Sequence, residues 1–135
     1  MPHGTLINMG STHAQKERLW GTEGIEWLGD YLVHESPASE GSVFVLWVPA
    51  AHIVAAPGDD YPDFDLAAAS PDNELLRVMN RTWPDQLVFL PLDDELFSEG
   101  RIPINSQGDI YVTAPKRHYD EILLLPIAQR EYLGD

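Results

Sequence analysis

The fold is decided by residues 42–48, which have the sequence Ser-Val-Phe-Val-Leu-Trp-Val. Branched and aromatic side chains occupy both the odd-numbered and the even-numbered positions, so both faces of a strand here would be apolar. Such a pattern is typical of a central strand that is covered on both sides. Pro49 follows, and because proline lacks the N–H that a sheet ladder needs, it predicts the end of the strand.

Other short apolar segments predict further strands. Residues 86–90 and 121–125 are apolar, and a proline directly follows each of them. Residues 101–105 and 109–113 flank a Ser-Gln-Gly turn, which predicts a β-hairpin.

A helix is predicted after Ser70. Serine is a preferred N-cap, and Pro71 suits the first helical position. Pro84 predicts the end of this helix, because proline cannot continue it. The predicted buried stripe consists of Leu75, Leu76, Met79 and Trp83.

The first third of the chain allows two interpretations. Thr12 followed by Gln15 resembles a capping box and predicts a helix start. Residues 22–33 predict a second helix, while a strand over 27–34 is the competing interpretation. Residues 1–11 are interpreted as a flexible N-terminus or a short edge strand.

Together these elements predict a fold of the α+β class. Strands and helices do not alternate regularly, so we expect a mainly antiparallel or mixed sheet packed against two or three helices. The chain has 135 residues, of which 44% are hydrophobic, and this is enough for one core. Residues 12–135 are therefore predicted to form a single globular domain.

Composition restricts the compartment and the chemistry. The chain has no cysteine, which excludes disulfides, zinc–thiolate sites and cysteine nucleophiles. The N-terminus lacks the pattern of a signal peptide, and no apolar run is long enough to span a bilayer. These features predict a cytoplasmic protein.

The net charge predicts the kind of partner. Eight Lys and Arg residues face 22 Asp and Glu residues, which gives a formal charge of −14. Such a surface repels phosphate backbones and anionic lipids, so we expect no direct binding to nucleic acid or to a membrane. It attracts a basic protein. The alternative is that the charge serves only solubility.

Two acidic segments, Asp59–Asp65 and Asp93–Glu99, are the candidate binding site. Two aromatic residues lie among the acids of the first segment, and aromatic anchors ringed by polar groups are common at protein interfaces. The predicted partner-binding residues are Asp59, Asp60, Tyr61, Asp63, Phe64, Asp65, Asp93, Asp94, Glu95 and Glu99. The alternative is an acidic solvated loop whose two rings fold back onto the core.

Motifs for enzymatic chemistry are missing from the sequence. It has no phosphate-binding glycine loop, no Gly-x-Ser-x-Gly elbow and no His-Glu-x-x-His zinc helix. The first acidic segment lacks the glycine and the final glutamate of a calcium-binding EF-hand loop. His118 and Glu121 have the spacing of two metal ligands on a helix, but Glu121 opens a strand pattern. We therefore predict no catalytic residue, no metal and no cofactor.

The sequence thus favours a non-enzymatic, protein-binding module. We expect an inhibitor or an immunity-type protein that occludes a basic partner such as a toxin or a nuclease. The first alternative is a structural or assembly protein of a phage or a secretion system, which would form a symmetric oligomer. The second is a small enzyme in which His52, His118 and the aspartates come together only in the fold.

Overall fold

The computed structural model describes residues 4–9, 11–17, 26–36, 43–58, 60, 63–65, 73–103 and 111–129. The α-helices in this part are α1 (Ser11–Ala14), α2 (Leu28–His34), α3 (Glu74–Thr82) and α4 (Pro115–His118). A 3₁₀ helix covers Glu95–Ser98. The strands are β1 (Leu46–Trp47), β2 (Ala50–Val54), β3 (Phe64–Asp65), β4 (Val88–Pro91), β5 (Arg101–Pro103), β6 (Tyr111–Thr113) and β7 (Glu121–Gln129).

The long strand β7 is the centre of the main sheet. β1 and β2 run parallel to one edge of β7, and β4 runs antiparallel to its other edge. β3 pairs antiparallel with β2 and forms the outer edge on that side. Leu46 pairs with Glu121 and Val54 pairs with Gln129, at the same separation in sequence. β1 and β2 are therefore two parts of one strand, and the order across the sheet is β4, β7, β1/β2, β3.

The predicted fold class is wrong at the centre of the sheet. We expected a mainly antiparallel or mixed sheet of the α+β class, but β1, β2 and β7 all run in the same direction. The architecture is mixed α/β around this parallel core, with antiparallel strands at its margins. The expectation took the lack of regular strand–helix alternation as evidence against parallel strands, but here the parallel partners lie 75 residues apart in the chain, as in the pair Leu46 and Glu121.

The prolines interrupt this sheet less than the sequence predicts. Pro49 has no N–H to donate towards β7, so the ladder has a gap there, but the strand resumes at Ala50. Pro126 lies within β7 instead of following its end. Leu125 donates its N–H to the Pro49 carbonyl, at 2.9 Å, so the next residue along β7 faces the opposite edge. At that edge the pairing of β7 with β4 ends at Val88 and Leu124, before Pro126 is reached. Pro126 therefore removes no hydrogen bond between the two strands.

The hydrophobic core lies between one face of this sheet and helix α3, and we call this the inner face. It includes Val45, Trp47, Ala51, Leu76, Met79, Val88, Leu92, Tyr119, Ile122 and Leu124. The rings of Trp47 and Tyr119 stack with their centroids 5.3 Å apart. Burial raises the pKa of the Tyr119 phenol well above its ordinary value, because the charged form would lose its hydration.

Helix α3 confirms a helix between Asn73 and Trp83, with a different start. The Asn73 side chain accepts a hydrogen bond from the Leu76 N–H and caps the helix, while Ser70 and Pro71 lie outside the described residues. Leu76 and Met79 are buried as predicted. Trp83 is 50% exposed, so its predicted place in the buried stripe is wrong.

The remaining local predictions have mixed outcomes. β5 and β6 confirm the hairpin, although its Ser-Gln-Gly turn lies outside the described residues. The first third of the chain contains the helices α1 and α2, so the competing interpretation of a strand over 27–34 is wrong. Within the described ranges, no helix has the length and apolar character that crossing a bilayer needs.

Asp120 joins the main sheet to the N-terminal segment. Its carboxylate accepts hydrogen bonds from the Val45 N–H, at 2.7 Å, and from the Lys16 ammonium group. Its backbone N–H donates to the Val45 carbonyl and its carbonyl accepts from the Leu92 N–H, each at 2.9 Å. This single residue therefore fixes where β1, β4 and β7 begin or end against one another.

Removing the Asp120 carboxylate should destabilise the protein. We expect Asp120→Ala to lower the free energy of unfolding by about 2–3 kcal/mol, because the Val45 N–H and Lys16 both lose a charged acceptor. Asp120→Asn should cost about half as much, since its amide oxygen can still accept from Val45. Urea denaturation of the three proteins measures this order, and an unchanged Asp120→Ala midpoint would contradict it.

Gly29 should tolerate no side chain, because α2 approaches α1 there. A Cβ at this position would overlap the backbone carbonyl oxygens of Ala14 and Gln15. We expect Gly29→Ala to cost about 1–3 kcal/mol, since neither backbone oxygen can move without shifting α1. Gly4→Ala is the control, because a Cβ on Gly4 meets no atom within 4 Å. Equal thermal midpoints for the two variants would show that α1 and α2 are not in close contact.

Candidate functional site

The first acidic segment lies at the β3 edge of the sheet. Asp60, Asp63 and Asp65 are all exposed. Asp63 accepts a hydrogen bond from the Ala55 N–H at 2.7 Å, and Asp65 lies opposite His52, with 3.9 Å between carboxylate and ring nitrogen. Phe64 pairs through its backbone with Ile53, and nothing of its side chain is described. Asp59 and Tyr61 lie outside the described residues.

The second acidic segment follows β4, and part of it serves the local structure. Asp94 accepts a hydrogen bond from the Leu96 N–H and caps the 3₁₀ helix. Glu95 accepts hydrogen bonds from Lys116, at 2.8 Å, and from Ser98, at 2.9 Å. These two bonds lower the pKa of the exposed Glu95 carboxyl, with Lys116 as the larger cause. Asp93 and Glu99 are exposed and have no ion pair among the described residues.

The two acidic segments do not form one cluster. β3 pairs with the part of β2 that lies beside Ile127, whereas the second segment follows Pro91, which pairs with Glu121. Six residues of β7 separate these two positions, or about 20 Å at the usual rise of a strand. The segments also lie beyond opposite edges of the sheet. Any one partner that contacts both must therefore span most of the sheet.

The cations whose side chains the structure describes interact with other groups of the protein. Lys16, Arg81, Lys116 and Arg117 each have a carboxylate oxygen within 3.5 Å, supplied by Asp120, Glu74, Glu95 and Glu17 respectively. Arg77 also has an interaction partner. Asp60, Asp93 and Glu99, by contrast, have no counter-ion among the side chains that the structure describes.

The histidines proposed for an enzyme lie far apart. His52 pairs with Ile127 near the end of β7, while His118 is 5% exposed and precedes β7 at its other end. His118 is the last residue of the short helix α4, which also contains Lys116 and Arg117. Glu121 is the first residue of β7, as its apolar context predicts. In the part of the chain that the structure describes, no group of three His, Asp or Glu residues is arranged to hold a metal.

The second face of the main sheet is apolar and open to solvent, and we call it the outer face. Along β1 and its flanks, Val45 and Trp47 point to the core while their neighbours point outwards. Phe44 is 63% exposed, Phe89 54% and Ile127 62%. Other apolar side chains on this face are those of Leu46, Val48, Val54, Leu123 and Leu125.

Cross-strand pairing puts carboxylates near both ends of the outer face. Glu121 lies beside Leu46 near one end, and Ile127 lies beside His52 and then Asp65 near the other. The strands of the main sheet contain no Lys or Arg. The result is an apolar strip with an acidic residue near each end.

Sequence reasoning placed the candidate site on the acids and missed the outer face. The sequence contains a signal for the outer face, because apolar residues occupy both odd and even positions within residues 42–48 and 121–125. It was interpreted as a strand covered on both sides. The structure covers one side with α3 and leaves the other exposed within the described residues.

Comparisons with protein-family models, curated proteins and solved structures gave no significant match. The distribution of charge and of exposed apolar surface is the basis for assigning a function.

The lowered pKa of Glu95 can be checked by NMR titration. We expect Glu95 to titrate below its ordinary value of 4.5, so its bonds to Lys116 and Ser98 stabilise the fold above that pH and are lost as pH falls through the lowered pKa. Lys116→Gln should raise the Glu95 pKa more than Ser98→Ala does, because Lys116 is the larger cause. Equal effects would contradict this ranking.

Proposed function

We propose that this protein is a non-enzymatic, protein-binding module, of the inhibitor or immunity type, that occludes a basic partner such as a toxin or a nuclease. The observation that carries the proposal is the use of the described cations in internal pairs, which leaves exposed carboxylates at both ends of the sheet. The predicted cytoplasmic location stays a prediction.

The charge distribution supports binding by electrostatic steering. Carboxylates that have no counter-ion among the described residues, such as Asp60 and Asp93, raise the local concentration of a basic protein and increase its association rate by about 10- to 1,000-fold at low salt. A standard interface buries about 800 Å² on each partner, which is wide enough to reach from the β3 edge to the segment after β4. Occlusion then needs no chemistry from this chain.

A structural or assembly role is the second candidate function, and the open outer face is the observation that favours it. Exposed apolar faces of this kind are common sites of self-association. Sedimentation distinguishes the two candidates, because an assembly protein forms a symmetric oligomer as its concentration rises, whereas an inhibitor stays monomeric until its partner is added.

Charge reversal should weaken partner binding at the two acidic segments. The native cell lysate is passed over the immobilised protein at low salt, and the basic protein that elutes at high salt is purified. We expect Asp60→Lys and Asp93→Lys each to slow its association severalfold, because each removes an attractive charge and adds a repulsive one. Stopped-flow or surface-plasmon-resonance kinetics at low salt measures the rates.

Glu35→Lys is the matched control for these variants. Glu35 is exposed, lies at the C-terminus of α2 outside both acidic segments, and gives the same change in charge. Its effect on the association rate should be clearly smaller. Equal slowing by all three variants would show that only net charge matters, and unchanged rates for Asp60→Lys and Asp93→Lys would overturn the proposed function.

A further inference from the structure

The geometry points to the outer face as the docking surface for an apolar region of the partner that is flanked by Lys or Arg side chains. This inference rests on the proposed function and identifies which surface of the protein makes the contact. The acidic segments then lie at the margins of the interface, and the outer face supplies its centre.

The exposed apolar area is the first argument. Phe44, Phe89 and Ile127 each leave more than half of their surface in water. Leu123 and Leu125 lie between Phe89 and Ile127 along β7 on the same face. Together with Leu46 and Val48, the three exposed side chains leave on the order of 500 Å² of apolar surface in water, as much as the largest patch on a typical monomer, which is often functional. Burial of such a centre within a polar rim is the usual anatomy of a protein interface.

The charges around the apolar strip select the kind of partner, because its carboxylates are complementary to basic side chains. Glu121 lies near one end of the strip and Asp65 borders the other end, and its strands contribute no Lys or Arg. A second copy placed face to face would bring acidic ends onto acidic ends, in a chain that already carries −14. A partner with an apolar centre and basic margins meets both the apolar strip and its ends.

The test uses a defined peptide as the probe. It is a helical peptide about five turns long, with leucine along one face and lysine along the margins of that face, and a second peptide has glutamate in place of lysine. We expect the protein of 135 residues to bind the lysine peptide at micromolar concentration in low salt, at least about tenfold more tightly than the glutamate peptide. Fluorescence anisotropy of the labelled peptides measures both affinities.

Variants on the outer face locate the contact. Leu46→Glu and Phe89→Glu should each weaken the lysine peptide at least about fivefold, because a carboxylate replaces apolar contact at the centre of the face. Each substitution adds a negative charge, so electrostatics alone would strengthen binding of this peptide. Val78→Glu is the matched control, since Val78 is exposed on α3 and changes the charge equally. It should leave the affinity unchanged or raise it slightly.

Two measurements made without the peptide, one on the wild-type protein and one on the variants, exclude other occupants of the outer face. The wild-type protein should sediment as a monomer, and the face variants should change Tm by less than about 4 °C. A dimer that the face variants dissociate would overturn the inference in favour of a second copy. A large fall in Tm in both face variants would overturn the inference, because it would mean that another segment of the same chain packs against the outer face.

The outcome also separates this inference from the proposed function. If Asp60→Lys and Asp93→Lys weaken the lysine peptide while the face variants do not, the docking surface is elsewhere and the proposed function stands. If the lysine peptide binds no more tightly than the glutamate peptide, the protein has no preference for basic partners. That result would overturn both.

Discussion

Parallel pairing of β7 with β1 and β2 is the constraint on which the rest of the structure depends. Such pairing cannot form through a tight turn, so the chain between β2 and β7 must close a long loop before any of these bonds is made. Asp120 is placed where that pairing begins, and its side chain holds Val45 while its backbone holds Leu92. Once β7 is fixed, the inner face takes α3 and the outer face is defined with it.

Local patterns allowed a good part of the fold to be predicted, and long-range pairing accounts for the rest. The hairpin β5–β6 and the helix through Leu76 and Met79 follow from turn residues and helical spacing within short segments. Strand direction does not, because nothing in residues 121–125 indicates whether its partner arrives parallel or antiparallel. The end of the strand predicted at Pro126 was wrong for the same reason, since a proline removes a hydrogen bond from the sheet only if its nitrogen faces a paired edge.

The candidate site shows the same division between composition and geometry. Composition predicted that acids would dominate the surface, but only the structure shows that Asp63, Asp94 and Glu95 also bond to neighbouring groups. It also separates the two acidic segments along β7. Between them lies the outer face, which carries the exposed aromatic side chains of Phe44 and Phe89. We therefore propose that steering by the acids and contact by the outer face are complementary parts of one binding mechanism.

Side-chain footprinting measures the exposure of Phe44, Phe89 and Ile127 in the free protein and in the complex with the lysine peptide. When each rate is divided by the intrinsic reactivity of its residue type, we expect all three to be modified in the free protein about as readily as Val78 on α3 and to be protected once the peptide is bound, while Val78 is unaffected. Protection of the three side chains in the free, monomeric protein, or their unchanged modification in the complex, would contradict it.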